Sequence, residues 1–464
     1  MLPQELKVSR TKILIIGVIT LFGCGSVEPN KVQESNLEST ALLDEYIEAM
    51  AANKRFNGSV LITKKDTIVF KKSLGLTSVE GNEGFTDSSI FLIGSITKTF
   101  TAAAILQLVE QNKLSLSDKL NHFFPDFPRS EEVTIQQLLT HYSGIRDYHE
   151  FENWKWESRR KSLVPKDVIE TVKRDAFHYE PGERFYYTNT GYVFLGLIIE
   201  QVSGLSFAEY IDQQICKPLE LTSTGVCVNE IGPQKLVKGY RTSPREKAVA
   251  EYINLNQPFS SGNMYSNLHD LRRFTKAVFS AELFSKELVQ QLKFMNSGTY
   301  GFGWGIRAYD SLRLYGHLGA MNGFVGAVNY LPEQDLFIGF LTNDDNTPRS
   351  QLSNDLTTWA LGKPITIPPK KKYRNFNPLE RTQYVGDYLI KPGDSLSVFV
   401  EDELLFIKET GQEKHELFCF ETHYFDTEKL EFDIEFSGEV NGVFDTLKFL
   451  KSNRSFLKAP RILY

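Results

Sequence analysis

Ser95 and Lys98 lie three residues apart at the start of a segment whose apolar residues recur at helical spacing. Residues three apart share one face of a helix, so the lysine amine is expected beside the serine hydroxyl. An amine in that position can activate the hydroxyl as a nucleophile. Free N–H groups at the start of a helix can also hold a developing oxyanion. The pair therefore predicts chemistry through an acyl-serine.

The Ser-x-x-Lys pattern alone is weak because it also occurs at Ser9, Ser158 and Ser455. None of these three serines opens an apolar-periodic helix. The alternative for Ser95 is an ordinary helix N-cap. The remaining motifs decide between the two interpretations.

A second group of polar side chains, Tyr187-Thr188-Asn189, follows the turn dipeptide Pro181-Gly182. The residues from Gly191 to Ser203 then predict a buried helix that ends at Gly204. A phenol here can exchange protons, and an amide can bind a substrate carbonyl.

A third motif, His317-Leu318-Gly319, enters a run rich in glycine and β-branched residues. The run predicts two adjacent strands joined by a turn at 331–335. Taken alone, His317 would by default be interpreted as a surface or core histidine without chemistry.

In this order, the three motifs resemble those of the β-lactamase-related serine hydrolases. That group holds class C β-lactamases, D,D-peptidases, D-aminopeptidases and several carboxylesterases. Four further segments resemble landmarks of the family: TIQQLLTHYSGIRDY (134–148), SSGNMYSNLHDLRRF (260–274), YGFGWGI (300–306) and FLTNDDN (340–346). The resemblance implies an α/β (α+β) fold over residues 40–362, with an antiparallel sheet flanked by helices and a helical subdomain.

The resemblance also implies the catalytic roles. Ser95 would be the acyl-forming nucleophile, Lys98 its partner amine, and Tyr187 the group that passes the proton to the leaving group. The oxyanion hole would use the backbone N–H groups of Ser95 and Ala320, and such donors are commonly worth ~10²–10³ in rate each.

Substrate binding would fall to Asn189, His317 and Gly319. Penicillin-hydrolysing relatives usually carry Lys-Thr-Gly where this chain has His-Leu-Gly. With a reference pKa of ~6.5, the histidine is mostly neutral at pH 7, so weaker anion binding is expected at this wall. The resemblance therefore favours esters or small peptides, D-amino-acid-containing ones included, over the alternative of a β-lactamase or D,D-carboxypeptidase.

The same replacement bears on the base. A free tyrosine titrates near ~10, and one nearby cation shifts a pKa by ~1–3 units. With Lys98 as the only assured cation, a tyrosinate is not expected at pH 7. We therefore predict concerted proton transfer through Lys98 and Tyr187, with activity rising into the alkaline range.

The N-terminus carries a separate signal. Basic residues precede an apolar run from Ile13 to Gly23, which is too short to span a bilayer and predicts a signal peptide. Leu21-Phe22-Gly23-Cys24 resembles a bacterial lipobox, which implies cleavage before Cys24 and lipidation of its thiol. The alternative is a plain signal peptide with a chance cysteine.

These features divide the chain into a signal peptide (1–24), a polar tether (25–39), the catalytic domain (40–362), a linker (363–376) and a region of alternating strands (377–464). The last resembles the small all-β, lipocalin-like domains that follow the catalytic domain in several relatives. It could act as a substrate gate, an oligomer contact or a stabilising addition. A lipid anchor at Cys24 would place the protein in a bacterial cell envelope, facing the periplasm or on the outer membrane.

Composition excludes other classes of function. The net charge of −6 and pI of about 5.9 argue against a nucleic-acid partner. The eight histidines show no metal-ligand spacing, so neither metal nor cofactor is expected. A non-turnover sensor acylated by cell-wall peptides or β-lactams would need a transmembrane route for its signal. The cleavable signal sequence therefore favours an enzyme acting on a small-molecule or peptide substrate.

Overall fold

A computed structural model describes residues 29–151, 164–227, 233, 235–251, 253–293, 299–374, 377–427, 432–451 and 454–462. The predicted signal peptide and the lipobox cysteine Cys24 lie outside these residues.

The described residues hold ten α-helices: α1 Pro29–Ala52, α2 Thr97–Glu110, α3 Ile135–Leu139, α4 Pro165–Val172, α5 Asn189–Ser203, α6 Phe207–Ile211, α7 Leu268–Phe279, α8 Lys286–Lys293, α9 Arg349–Ala360 and α10 Pro378–Arg381. The strands as far as the linker are β1 Gly58–Lys64, β2 Thr67–Leu74, β3 Leu76–Ser78, β4 Glu83–Gly84, β5 Phe91–Leu92, β6 Gly225–Val226, β7 Tyr240–Thr242, β8 Lys247–Val249, β9 Met264–Ser266, β10 Gly305–Tyr309, β11 Leu312–Met321, β12 Phe324–Leu331 and β13 Leu336–Thr342.

A six-stranded antiparallel sheet in the order β10-β11-β12-β13-β1-β2 forms the centre of the catalytic domain. Strands β12 and β13 are buried along their whole length, which explains their near-continuous apolar sequences. Residues 332–334 make the tight turn between them, inside the turn that the sequence predicts.

Helices cover both faces of this sheet. On one face, Leu43, Tyr46, Ile47 and Met50 of α1 repeat at helical spacing and pack with α9 and the sheet into one core. On the other face, α2 and α7 pack into a second core, where the rings of Phe100 and Phe274 stack 3.7 Å apart. The predicted antiparallel sheet flanked by helices is confirmed.

The helical subdomain is built around α5, which begins at the last residue of the second motif and is buried from Thr190 to Ile199. It ends at Gly204 in the left-handed conformation, as the sequence predicts. In the described part of the chain no single helix is long and apolar enough to cross a membrane. Only the bent pair Asn189–Ser203 and Phe207–Cys216 reaches that length and composition together.

Helix α1 begins at Pro29 and therefore extends into the segment 25–39, which the sequence predicts to be a polar tether. Proline is favoured in the first turn of a helix, and the glutamate, glutamine and leucine residues that follow are good helix formers. The polar composition that suggested a tether is equally compatible with a helix.

Apart from the short helix α10, the region after the linker is built from β-strands, as predicted. Strands β14 Gly386–Lys391, β15 Asp394–Glu401, β16 Leu404–Glu409 and β17 Lys414–Glu416 form one antiparallel sheet. Strands β18 Phe418–Glu421, β19 Tyr424–Asp426, β20 Asp433–Val440, β21 Val443–Lys451 and β22 Arg454–Pro460 form a second. A bridge between Tyr388 and Arg461 joins β14 to the end of the second sheet, and the two sheets share a core of their own.

A buried group of charges attaches this region to the catalytic domain. The Asp426 carboxylate pairs with the Arg55 guanidinium and accepts hydrogen bonds from Lys371 Nζ (2.9 Å) and the Tyr373 hydroxyl (2.7 Å). Lys371 also pairs with Asp433. Burial opposes ionisation of Asp426, but the two cations hold its pKa below the usual value.

We expect Asp426→Ala to lower the free energy of unfolding by ~3–5 kcal/mol, because it removes a buried carboxylate from Arg55 and Lys371. Urea unfolding measures the change. The matched control is Asp310→Ala, which removes an exposed ion pair with Lys363 and should cost no more than ~1 kcal/mol. Equal losses in the two variants would contradict a stabilising role for the buried cluster.

Candidate active site

Ser95 lies in a short 3-10 turn, Gly94–Ile96, that runs directly into α2. The sequence predicts Ser95 at the start of the helix itself, so the turn is a small departure. Gly94 has a positive φ of 50°, and a Cβ there would lie 2.7 Å from the Ala320 nitrogen. Glycine is therefore required for the turn to approach β11.

Lys98 is fully buried, and three oxygens surround its amine. Its Nζ lies 3.0 Å from Ser95 Oγ, 2.8 Å from Asn189 Oδ1 and 2.8 Å from the Ser261 carbonyl. The amide and carbonyl oxygens can only accept hydrogen bonds, so they take both N–H groups of a neutral amine. The lone pair is then left facing Ser95 Oγ, where it can receive the hydroxyl proton.

Burial also favours the neutral amine. Desolvation lowers the pKa of Lys98 to about 7, although the nearby Asp147 carboxylate acts in the opposite direction. A substantial share of the amine is therefore neutral at physiological pH, as a base for Ser95 requires.

Asn189, the first residue of α5, connects Lys98 to a carboxylate that the sequence analysis did not identify. Its Oδ1 accepts from Lys98, while its Nδ2 donates to Asp147 Oδ2 at 3.0 Å. The sequence predicts that this amide binds a substrate carbonyl. Asn189 does line the cavity beside Ser95, but both ends of its amide already have protein partners.

Tyr187 lines the same cavity as Ser95, and its ring centroid lies 5.0 Å from Lys98 Nζ. Although 37% of the residue is exposed, desolvation of the phenol raises its pKa. The nearby Asp147 carboxylate raises it further, whereas the Ser95 side chain and Arg349 lower it. Tyr187 is therefore protonated at neutral pH and can relay a proton rather than act as a standing anion.

His141, in the 134–148 segment, packs against the ring of Tyr187. Its ring lies 4.3 Å from the Tyr187 ring, and its Nδ1 accepts from the Thr188 N–H at 3.2 Å. The residue is fully buried, and desolvation holds the pKa of its imidazole well below the usual value. His141 is thus a neutral ring in the wall of the site, next to Tyr187.

His317 forms part of the opposite wall, on β11. Its Nδ1–H donates to the Leu318 carbonyl (2.7 Å), so its Nε2 accepts from the Tyr300 hydroxyl (2.9 Å). Desolvation, followed by the charge of Lys98, lowers the pKa of His317 to about 3. The imidazole is therefore neutral at pH 7, and its polar atoms are used within the protein.

Gly319 and Ala320 bring β11 against the Ser95 turn. A Cβ on Gly319 would lie 2.1 Å from the Ile93 carbonyl, so this position has no room for a side chain. Ala320 and Ser95 together line the cavities on both sides of the turn. The backbone predicted to form the oxyanion hole is thus assembled in one place.

Two cavities meet at Ser95 and Ala320. The first, of about 180 Å³, is lined by His149, Asn189 and the segment 253–262 among others. The second, of about 440 Å³, lies on the side of Tyr187 and His317 and includes Arg307 and Arg349. Neither arginine was identified from the sequence, which offered Lys98 as the only assured cation; the structure adds these two near the site.

In the described part of the chain, no group of three or more histidine, cysteine or acidic residues could hold a metal ion. Cys216, Cys227 and Cys419 are all buried free thiols.

Residues 43–362 match the protein family described as Beta-lactamase. The chain therefore belongs to this family of serine acyl-enzyme hydrolases, and the resemblance drawn from the motifs is confirmed. Among curated relatives, Penicillin-binding protein 4* of Bacillus subtilis (strain 168) is 29% identical over 422 residues, covering 85% of this chain and 93% of that protein.

Solved structures agree on the fold. The octameric penicillin-binding protein homologue from Pyrococcus abyssi aligns with a TM-score of 0.63 and 26% identity, over 90% of this chain and 99% of that chain. D-amino acid amidase from Ochrobactrum anthropi SV3 aligns with a TM-score of 0.62 over 69% of this chain and 97% of that chain. Its identity of 22% makes this a likeness of fold alone.

We expect kcat/KM to rise with pH through about 7 and then level off, because protonated Lys98 cannot accept the Ser95 proton. This rise lies at lower pH than the alkaline rise predicted from the sequence, because burial lowers the pKa of Lys98. A pH–rate profile with a p-nitrophenyl ester measures the midpoint. A rate already flat from pH 6 upward, or a rise centred near the free-lysine value of ~10.4, would contradict this assignment of the base.

Proposed function

We propose that this protein is a serine hydrolase that cleaves small peptides through an acyl-enzyme on Ser95 and releases a product with a free carboxylate. The observation that carries the proposal is the pair of arginines, Arg307 and Arg349, in the cavity beside Ser95 and His317. The named relatives that are penicillin-binding proteins support the same general reaction class.

The charge of these arginines is available to a ligand. Arg349 is exposed, and its guanidinium makes no hydrogen bond or ion pair with the described residues. The Arg307 guanidinium is held by the neutral amide oxygens of Asn354 (2.8 Å) and Asn329 (3.5 Å). None of the described residues that line this cavity is acidic. Arginine binds carboxylates through paired, charge-assisted hydrogen bonds, so an anionic leaving group fits this side of the site.

Acylation then follows from the contacts around Ser95. The Ser95 hydroxyl gives its proton to neutral Lys98 while Oγ bonds to the substrate carbonyl carbon. The N–H groups of Ser95 and Ala320 hold the oxyanion. As the C–N bond breaks, Tyr187 gives its proton to the leaving nitrogen and takes the former Ser95 proton from Lys98, so both groups return to their starting forms. The products of this step are an acyl-Ser95 ester and a free amino acid or peptide.

Deacylation uses the same groups in reverse. Water loses a proton to the Lys98–Tyr187 pair as its oxygen bonds to the acyl carbon, and the bond from that carbon to Ser95 Oγ breaks. The proton returns to Ser95, which regenerates the hydroxyl and releases a carboxylic acid.

Ester hydrolysis is the second candidate activity. The observation that favours it is the neutral imidazole of His317 beside the apolar Leu318, at the two third-motif positions where penicillin-hydrolysing relatives usually carry a lysine and a threonine. Turnover of a chromogenic cephalosporin as efficient as that of the peptide would instead favour the β-lactamase alternative.

We expect Arg349→Gln to lower kcat/KM for a peptide with a free C-terminal carboxylate by ~10-fold or more, because a hydrogen bond to a charged group is worth ~1.5–3 kcal/mol. The C-terminal amide of the same peptide and a neutral p-nitrophenyl ester should be cleaved at wild-type rates. Steady-state kinetics with the three substrates measure the difference.

Two control variants accompany the comparison. Arg174→Gln removes an exposed arginine of the catalytic domain outside both cavities and should leave all three rates unchanged. Ser95→Ala should abolish all three. Equal effects of Arg349→Gln on the acid and the amide would overturn carboxylate recognition, and activity retained in Ser95→Ala would overturn the acyl-enzyme mechanism.

The envelope location is a separate proposal that rests on the lipobox-like sequence ending at Cys24. Incorporation of labelled palmitate into the wild-type protein, and its loss in Cys24→Ala, would support a lipid anchor. An unlabelled wild-type protein released in soluble form would contradict it.

A further inference from the structure

Asp147 binds Asn189 through one carboxylate oxygen. Asp147 Oδ2 accepts from the Asn189 backbone N–H (2.5 Å) and from its Nδ2 (3.0 Å). The other oxygen, Oδ1, accepts from the backbone N–H of His149 (2.9 Å) and lies 2.8 Å from its Nδ1. The carboxylate is therefore fixed between two chain segments, and only 8% of the residue is exposed.

We propose that Asp147 is a positioning residue that holds the Asn189 amide with its oxygen toward Lys98 and so keeps the Lys98 lone pair on Ser95. The proposal rests on the acyl-serine function above and adds to it a group that touches neither the substrate nor the serine.

The two ends of the Asn189 amide are not equivalent, because the oxygen accepts hydrogen bonds and the nitrogen donates them. Asn189 Oδ1 accepts an N–H from Lys98 only because Nδ2 points to the carboxylate. If the amide rotated by half a turn, its Nδ2–H would face the Lys98 lone pair and compete with the Ser95 hydroxyl for it. A carboxylate accepts hydrogen bonds but cannot donate them. Asp147 therefore stabilises only the orientation in which Asn189 Nδ2 faces the carboxylate and Oδ1 faces Lys98.

The neighbouring segment reinforces this arrangement. The Thr190 hydroxyl donates to the Arg146 carbonyl (2.8 Å) and accepts from the Tyr148 N–H (3.0 Å). The start of α5 is thus bound to residues 146–148 by hydrogen bonds on either side of Asp147. The carboxylate cannot shift away from Asn189 without breaking several of these bonds.

Asp147 also sets the charge balance at Lys98. Burial would raise the pKa of its carboxyl, but the His149 side chain and the N–H groups of Asn189 and His149 hold it below the usual value. Its negative charge therefore persists at neutral pH and opposes the desolvation that lowers the pKa of Lys98. Removing the charge should move the Lys98 transition to lower pH.

The other titratable groups around Lys98 are neutral at pH 7 and do not compete with this effect: Tyr187, Tyr192, His141 and His317. Burial raises the pKa of both phenols and lowers that of both imidazoles. His149 reaches Lys98 only through Asp147 and Asn189.

The test compares Asp147→Asn with Asp147→Glu. General acid–base assistance contributes ~10²–10⁴ in rate, so a misoriented Asn189 should lower kcat of Asp147→Asn by at least ~10-fold, with KM nearly unchanged. The acid limb of its pH–rate profile should shift to lower pH. A merely structural role for Asp147 would lower activity without moving that limb.

Asp147→Glu keeps the charge but moves the carboxylate by one methylene, and it serves also if Asp147→Asn fails to fold. We expect a lower kcat with the acid limb near its wild-type position. Asp126→Asn, at an exposed residue outside both cavities, is the matched control for loss of one carboxylate and should leave both unchanged.

A titration of the Lys98 side chain by NMR with ¹³C-labelled lysine, assigned by comparison with Lys98→Arg, separates this proposal from the proposed function. It requires no turnover, so an inactive wild-type protein would refute the function while the effect of Asp147 on Lys98 is still measured. A Lys98 transition at the wild-type pH in Asp147→Asn, or wild-type kcat in Asp147→Glu, would overturn the role of Asp147.

Discussion

The burial of one amine governs the rest of the site. Lys98 has no solvent to stabilise its charge, so the protein must either pair the ammonium or favour the neutral form. Burial partly favours the neutral form, because it lowers the pKa of Lys98 to about 7. Two oxygens that can only accept hydrogen bonds, Asn189 Oδ1 and the Ser261 carbonyl, lie next to the amine. The remaining direction is that of Ser95.

Meeting this constraint requires three chain segments that are far apart in the sequence. The 3-10 turn Gly94–Ile96 and the helix α2 that follows it carry Ser95 and Lys98 respectively. Helix α5 supplies Asn189, and the 3-10 turn Phe259–Ser261 supplies the backbone carbonyl. The small sheet of β5, β9 and β6 fixes the last of these, since β9 follows that turn and pairs with β5 just before the Ser95 turn. The packing of the domain thus determines the protonation state of one side chain.

The sequence predicts the parts of the site that depend on local geometry. Ser95 and Lys98 meet because three residues span nearly one helical turn, and the end of α5 follows from a glycine that can adopt a left-handed conformation. The continuous apolar runs of β12 and β13 likewise identify central strands. These features require no knowledge of distant contacts.

What the sequence does not reveal depends on packing between distant segments. Arg307 reaches the site because β10 pairs with β11. Arg349 reaches it because the first residue of α9 lines the same cavity as residues of these two strands. Asp147 reaches Asn189 because residues 146–148 pack against the start of α5. The Gly94 turn depends on a close approach to Ala320. The start of α1 was not predicted because its polar composition is also typical of a tether.

The central claim is that Ser95 carries the acyl group, and the most direct test is mass spectrometry of the intact protein quenched during turnover of a slowly deacylating ester. The account predicts a transient mass increase equal to the acyl group, located on Ser95 by peptide mapping and absent from Ser95→Ala. Turnover with no acyl adduct, or an adduct on another residue, would contradict it.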